Sequence, residues 1–353
     1  MTNSPPTPPP SIQEIATRVD DRLTELLDDE RRRWSDVDDR ITYLLDTVQR
    51  FTAGGKRLRP AFCFWGFVGA GGDHQASQII DAGAAYELLH AFALMHDDVM
   101  DDSDTRRGLP TVHTEYIDMH SQAGWSGEAR RFGEGIAILA GDLLHVYADR
   151  LLIDAPSPAR VIWAELRIEI NMGQYLDVLS TAQARRDLEI AQRVARYKSA
   201  KYTIERPLHL GAAMAGRLDE LSSAYTAYGI PLGIAFQYRD DILGAFGDPE
   251  LTGKPVGEDL REGKPTALLA MAAGRATSAQ NEVLDRIGRR QLSDRDIASI
   301  QNILVDTGAR ATVEDTIAEL TDEAVTAVSD APLDRETSCA LIDLAYYIAA
   351  REL

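Results

Sequence analysis

Residues 94–108 read LMHDDVMDDSDTRRG: five aspartates within eight positions, then two arginines. Asp97 and Asp101 are four apart, so on a helix their carboxylates share one face about one turn apart, while Asp98 points roughly 100° away. Like charges at that spacing repel and are tolerated where a cation stands between them. Oxygen donors without clustered Cys or His favour Mg2+, with Mn2+ as a substitute, over zinc. The competing reading is a solvated acidic helix end, which the helix dipole opposes.

A second acidic pair separates these readings. Residues 237–248 read QYRDDILGAFGD, so Asp240 and Asp241 again end an apolar helical run. Two acidic helix ends facing one cavity make a receptor for a diphosphate, because Mg2+ is readily shared between one or two carboxylates and phosphate oxygens.

Basic residues complete the pattern. GGKRLRP, residues 54–60, sets Lys56, Arg57 and Arg59 after a glycine pair, with the next helix starting near Pro60. Guanidinium forks and an ammonium at a helix N-terminus suit a phosphate. The GxxxxGK[ST] pattern of a nucleotide-phosphate loop is absent. Arg106, Arg107, Lys198, Lys201, Lys254 and Lys264 add cations within acidic or apolar segments. Each alone reads as a solvated surface charge. Beside two aspartate clusters they read as two diphosphate pockets, one bridged by metal and one lined directly by side chains.

Positioning these groups falls to helices. Apolar residues recur at helical spacing in 11–49, 76–100, 136–153, 161–179, 191–215, 221–244, 266–275 and 311–328, with Gly and Pro breakers between them. Alternating runs long enough for a sheet are absent. The expected architecture is an all-α, single-domain bundle of about ten helices around a deep central cavity, spanning residues 11–353. Residues 1–10, MTNSPPTPPP, read as a disordered extended tail and not as a signal peptide.

The formal net charge of −19 argues against nucleic acid or an anionic membrane as partner. No stretch approaches roughly 18 uninterrupted apolar residues, so no membrane anchor is expected. Cys63 and Cys339 lack metal-ligand spacing and sit in apolar sequence, which reads as two buried thiols in a reduced, cytoplasmic protein.

Six motifs occur in order: GGKRLRP (54–60), LLHAFALMHDDVMDDSDTRRG (88–108), GQYLD (173–177), YKSAKYT (197–203), QYRDDILGAFGDP (237–249) and GKPVGEDLREGK (253–264). Together they resemble the trans-isoprenyl diphosphate synthases of the polyprenyl synthetase family, which includes farnesyl and geranylgeranyl diphosphate synthases. The resemblance implies an all-α homodimer that joins isopentenyl diphosphate to an allylic diphosphate with about three Mg2+ per site. Position by position it implies Asp97, Asp101, Asp240 and Asp259 as metal ligands. It places Lys56, Arg59, His90 and Arg107 at the isopentenyl diphosphate, and Arg106, Lys198, Lys254 and Lys264 on the allylic diphosphate. Gln174, Asp177, Ser199 and Gln237 line the site. One position departs from the family pattern: the second motif, usually DDxxD, ends here in Gly244, and the site then relies on water or Asp248 for the missing ligand.

The growing product should run along the helix bearing the first motif. Phe92 and Ala93, five and four residues before Asp97, then form a partial floor. Within the family this pattern resembles the geranylgeranyl type, with a twenty-carbon product; farnesyl or longer products are the alternative. A class I terpene cyclase would not need the GGKRLRP pocket, a non-catalytic partner subunit would be expected to lose aspartates or lysines, and a purely structural acidic protein would bind no diphosphate.

Overall fold

A computed structural model describes residues 8–247, 257–288 and 291–350. Asp248, Lys254 and residues 1–7 of the expected tail lie outside the described residues. The first helix, α1 (Pro10–Trp34), starts on a proline, whose fixed φ and missing N–H suit a first turn. It buries Ile12, Ile15, Val19, Leu23, Leu26 and Leu27, the spacing that predicted it.

The chain continues through α2 (Asp39–Thr52), α3 (Leu58–Gly69), α4 (Ser77–Met100), α5 (Val112–Ala123), α6 (Ala129–Leu151), α7 (Ser157–Ala182) and α8 (Leu188–Val194). A π-helix (Ala195–Glu205) leads into α9 (Arg206–Met214) and α10 (Leu218–Phe246). Then come α11 (Glu258–Glu262), α12 (Ala267–Arg275), α13 (Ser278–Leu284), α14 (Asp294–Asp306), α15 (Ala309–Ser329) and α16 (Arg335–Ala349). The architecture is the expected all-α bundle, with sixteen α-helices and one π-helix among the described residues where about ten helices were expected, because Gly, Pro and polar breaks divide the longer periodic runs. The remaining regular structure among the described residues is a two-residue ladder, β1 (Thr105–Arg106) with β2 (Leu109–Pro110). Its loop residues, Arg107 at φ 52° and Gly108 at φ 74°, have the φ signs of a type I′ turn. This hairpin fixes both arginines of the first motif beside the end of α4.

Helix α4 packs along α6, and α10 lies between the π-helix and α15. One large core gathers α1, α3, α4, α6, α7, α9 and α10 around fully buried Phe62, Tyr86, Leu88 and Tyr228, of which Phe62 and Leu88 each contribute about 1.5 to 3 kcal/mol by leaving water. A second core joins the C-terminal half of α10 to α12, α14 and α15.

Two expectations need correction. Residues 191–215, expected as one regular helix, divide into α8, a π-helix and α9, because the 3.6-residue period does not register the extra residue in each π turn. Close backbone approach accompanies the π geometry: a Cβ on Gly173 of α7 would lie 2.6 Å from the backbone nitrogen of Lys198, and one on Gly233 of α10 would lie 2.3 Å from the Ala200 Cα. Second, Cys63 is buried but Cys339 is exposed, since α16 turns Thr337, Ala340, Leu341 and Leu344 inward and Cys339 off that face.

Candidate active site

The end of α4 presents the first motif as the spacing predicts. Asp97 accepts 2.6 Å from Gln174 Nε2 of α7, with Lys198 Nζ of the π-helix at 3.5 Å. Lys198 also contacts Asp177 at 2.6 Å. Asp101, capping α4, has Lys264 Nζ at 3.4 Å, and the same ammonium lies 3.7 Å from Asp259 and 2.6 Å from Glu262. Lys264 therefore stands between the first motif and α11.

These contacts divide the charge unequally. Burial works to raise Asp97, but Lys198, Lys264 and Arg106 outweigh it and hold this carboxyl below its ordinary value. Burial and the neighbouring Asp97 push Asp101 up to about 6. Burial opposes the charge on Lys198 too, yet Asp177 and Asp97 raise it above the ordinary lysine value. Asp98, 1% exposed, points away as expected and is gripped by Arg106 through Nη2 at 2.6 Å and Nε at 2.9 Å. Asp102 and Asp104 are exposed.

Asp240 lines two adjoining cavities of about 950 and 320 Å3, as does Lys198. The smaller also receives Gln237, Asp241, Gly244, Asp259 and Lys264. Gln237 accepts from the Ser199 hydroxyl and donates to Asp241 at 2.8 Å. The larger reaches from Asp97 across an apolar wall to Lys56, Arg59, His90 and Arg107. Arg59 lies over the Tyr202 ring at 4.4 Å and donates to Thr203 at 3.3 Å, while its buried Nε has no hydrogen-bond partner. Burial, then repulsion from Arg106 and Arg57, pulls Arg107 below the ordinary guanidinium range. Burial and four nearby arginines push the His90 imidazole well down, so it is neutral near pH 7. Crowded positive charge and an orphaned buried donor are the electrostatics of an anion site.

Phe92 and Ala93 line the same cavity. The Phe92 ring stacks on His145 of α6 at 4.9 Å and meets His96 at 4.6 Å, so it is braced from two sides. Two cations singled out from the sequence are held by carboxylates outside the aspartate motifs. Arg57, at φ 48° ahead of α3, is 5% exposed and bonds Asp20 at 2.8 Å as well as Glu87. Lys201 pairs with Glu169 at 2.8 Å and Glu205 at 3.0 Å. Conversely, Tyr202 lines the site, His145 stacks on Phe92 and Glu262 pairs with Lys264 without having been singled out. Tyr202 lies within YKSAKYT and Glu262 within GKPVGEDLREGK, but nothing in the spacing of His145 marks it.

Among the described residues no three acidic or histidine side chains converge on one point. The donors are carboxylate pairs facing an open cavity, which suits Mg2+: it binds through one or two carboxylates and completes its shell with water and phosphate oxygens. Asp97, Asp101, Asp240 and Asp259 fit that role, although Lys198 and Lys264 now neutralise part of their charge.

Residues 41–304 match the family model described as Polyprenyl synthetase. A geranylfarnesyl diphosphate synthase from Aeropyrum pernix is 36% identical over 266 residues, 73% of this chain and 77% of that protein. A geranylgeranyl diphosphate synthase from Sulfolobus acidocaldarius is 36% identical, covering 72% and 74%. The solved geranylgeranyl pyrophosphate synthase from Corynebacterium glutamicum, complexed with isoprenyl diphosphate and magnesium, is 38% identical and superposes with a TM-score of 0.91 over 96% of this chain and 99% of that one.

Proposed function

The chain belongs to the polyprenyl synthetase family, and from that premise we propose that it condenses isopentenyl diphosphate with dimethylallyl, geranyl and farnesyl diphosphates, giving mainly geranylgeranyl diphosphate. The observation that carries this reading is the 950 Å3 cavity, which holds an acidic pair, a basic cluster and an apolar wall in one enclosure.

Asp97, Asp101, Asp240 and Asp259 would hold Mg2+ shared with the allylic diphosphate, and Lys198 and Lys264 stand within reach of the same oxygens. When bound, the metal supplies Lewis-acid pull on the departing diphosphate. Both ammonium groups then stabilise the negative charge that grows as the C–O bond lengthens. Arg106, from its pairing with Asp98, and Lys254 would complete that grip, with Ser199 and Gln237 lining it. Lys56, Arg59, Arg107 and neutral His90 orient isopentenyl diphosphate so that its double bond faces the reacting carbon. Phe92, Ala93 and the apolar wall exclude water and set how far the product extends.

An exposed apolar stripe supports a homodimer: Leu139 and Val146 on α6, Ile153 just after it, and Val161, Ile168, Met172 and Tyr175 on α7 stand 53 to 64% exposed. Two unpaired thiols support a cytoplasmic setting. The test is incubation of purified protein with Mg2+, isopentenyl diphosphate and each allylic primer, followed by chromatography of the products. Cyclised hydrocarbon would favour a terpene cyclase, and no turnover a non-catalytic subunit.

A further inference from the structure

Gly244 lies one turn beyond Asp240 on α10, the position from which a side chain shares a face with the Asp240 carboxylate. That volume is already filled. A Cβ built on Gly244 would lie 1.8 Å from Asp259 Oδ2 and 2.4 Å from its Cγ, far inside van der Waals contact. Asp259 reaches this place from α11, a separate five-residue helix, entered through Gly257 at φ 69°. It is secured there by Lys264, whose ammonium lies 3.7 Å from Asp259 Oδ1 and whose backbone N–H donates to the Asp259 carbonyl at 3.0 Å.

We propose that Gly244 is a positioning residue: its missing side chain admits the Asp259 carboxylate to the slot one turn from Asp240, so that the second acidic cluster is completed across two helices. The second motif therefore lacks a residue and not a charge. Proximity alone is not the argument, because any side chain at 244, even a methyl, would push Asp259 out of the slot. The inference rests on the prenyl-transfer reading for the identity of the ligands, Mg2+ and a diphosphate.

The test uses full-length protein, thermal unfolding, and Mg2+ titrated in the presence of inorganic diphosphate. The half-saturating Mg2+ concentration is expected to rise about tenfold in Gly244→Ala and in Asp259→Ala, the range seen when a metal site's supporting groups are lost. Combining the two should add little, since both remove the same carboxylate from the same place. Gly244→Asp with Asp259→Ala should return the value to within about threefold of wild type, because the carboxylate then comes from α10 itself. Unfolding in EDTA monitors the fold of each variant. Wild-type Mg2+ affinity in folded Gly244→Ala would overturn the proposal. So would a Gly244→Asp, Asp259→Ala protein no better than Asp259→Ala, and this arm stays decisive if Gly244→Ala fails to fold, since the two Asp259 atoms that crowd position 244 most are gone there and its Cβ remains at 3.1 Å. A wild-type protein whose melting temperature ignores Mg2+ and diphosphate would instead overturn the functional reading, and this inference with it.

Discussion

Arg106 holds Asp98 through two nitrogens, at 2.6 and 2.9 Å, with the carboxylate 1% exposed. Within DDVMD Asp98 thus serves the fold, while Asp97 lines the cavity and Asp101 meets Lys264. Removing one partner of a buried pair strands the other charge, at a cost of about 3 kcal/mol. Asp98→Ala should therefore lower the melting temperature in EDTA by several degrees and change Mg2+ half-saturation less than about threefold. Asp97→Ala should do the reverse. An Asp98→Ala protein of unchanged melting temperature that no longer binds Mg2+ would make Asp98 a ligand.

Opposite ends of the cavity should fail differently under mutation. Asp97→Ala and Asp240→Ala remove charge acting on the ionising diphosphate and should cut kcat by at least about 100-fold. Arg59→Ala and Lys56→Ala remove anchoring of the second substrate and should mainly raise its KM. Steady-state kinetics with isopentenyl diphosphate varied will show which; the reverse pattern would mean that the two pockets are exchanged.

Phe92 is braced by His145 and His96 where it lines the cavity. Phe92→Ala should extend the product by at least one five-carbon unit, read by chromatography of the dephosphorylated alcohols. An unchanged chain-length distribution would remove Phe92 from the floor.

The i, i+4 geometry of a helix made Asp97 and Asp101 legible as a pair, and it equally told Asp98 apart. The fate of Arg57 was not legible, because its partners Asp20 and Glu87 lie 37 and 30 residues away in sequence. Lys201 and Lys198 are three apart in one motif, yet the π-helix sends one to Glu169 and the other to Asp177. A pattern of 3.6 residues per turn cannot foresee that division. The relation between Gly244 and Asp259 depends on how α11 packs on α10, which no local period encodes.

Asp241 gives the pH dependence its sign. It is 5% exposed, and burial pushes its carboxyl up to about 8, reinforced by Asp259 and Asp240 and opposed by the hydrogen bond from Gln237. The ordinary value, taken for the unfolded chain, is 3.8. Between these limits the folded protein keeps a proton that the unfolded chain has lost, so this group's contribution to stability falls as pH rises from about 4 to 8. Asp101, raised to about 6, acts in the same direction over the lower part of that window. Asp241→Asn mimics the protonated group and still accepts from Gln237. In EDTA it should melt above wild type at pH 8, by roughly 2 to 4 °C per kcal/mol recovered, and converge with wild type near pH 4. Mg2+ should shrink the difference by favouring the charged carboxylate. A gap between the two proteins that stays constant from pH 4 to 8 would show that Asp241 ionises at its ordinary value.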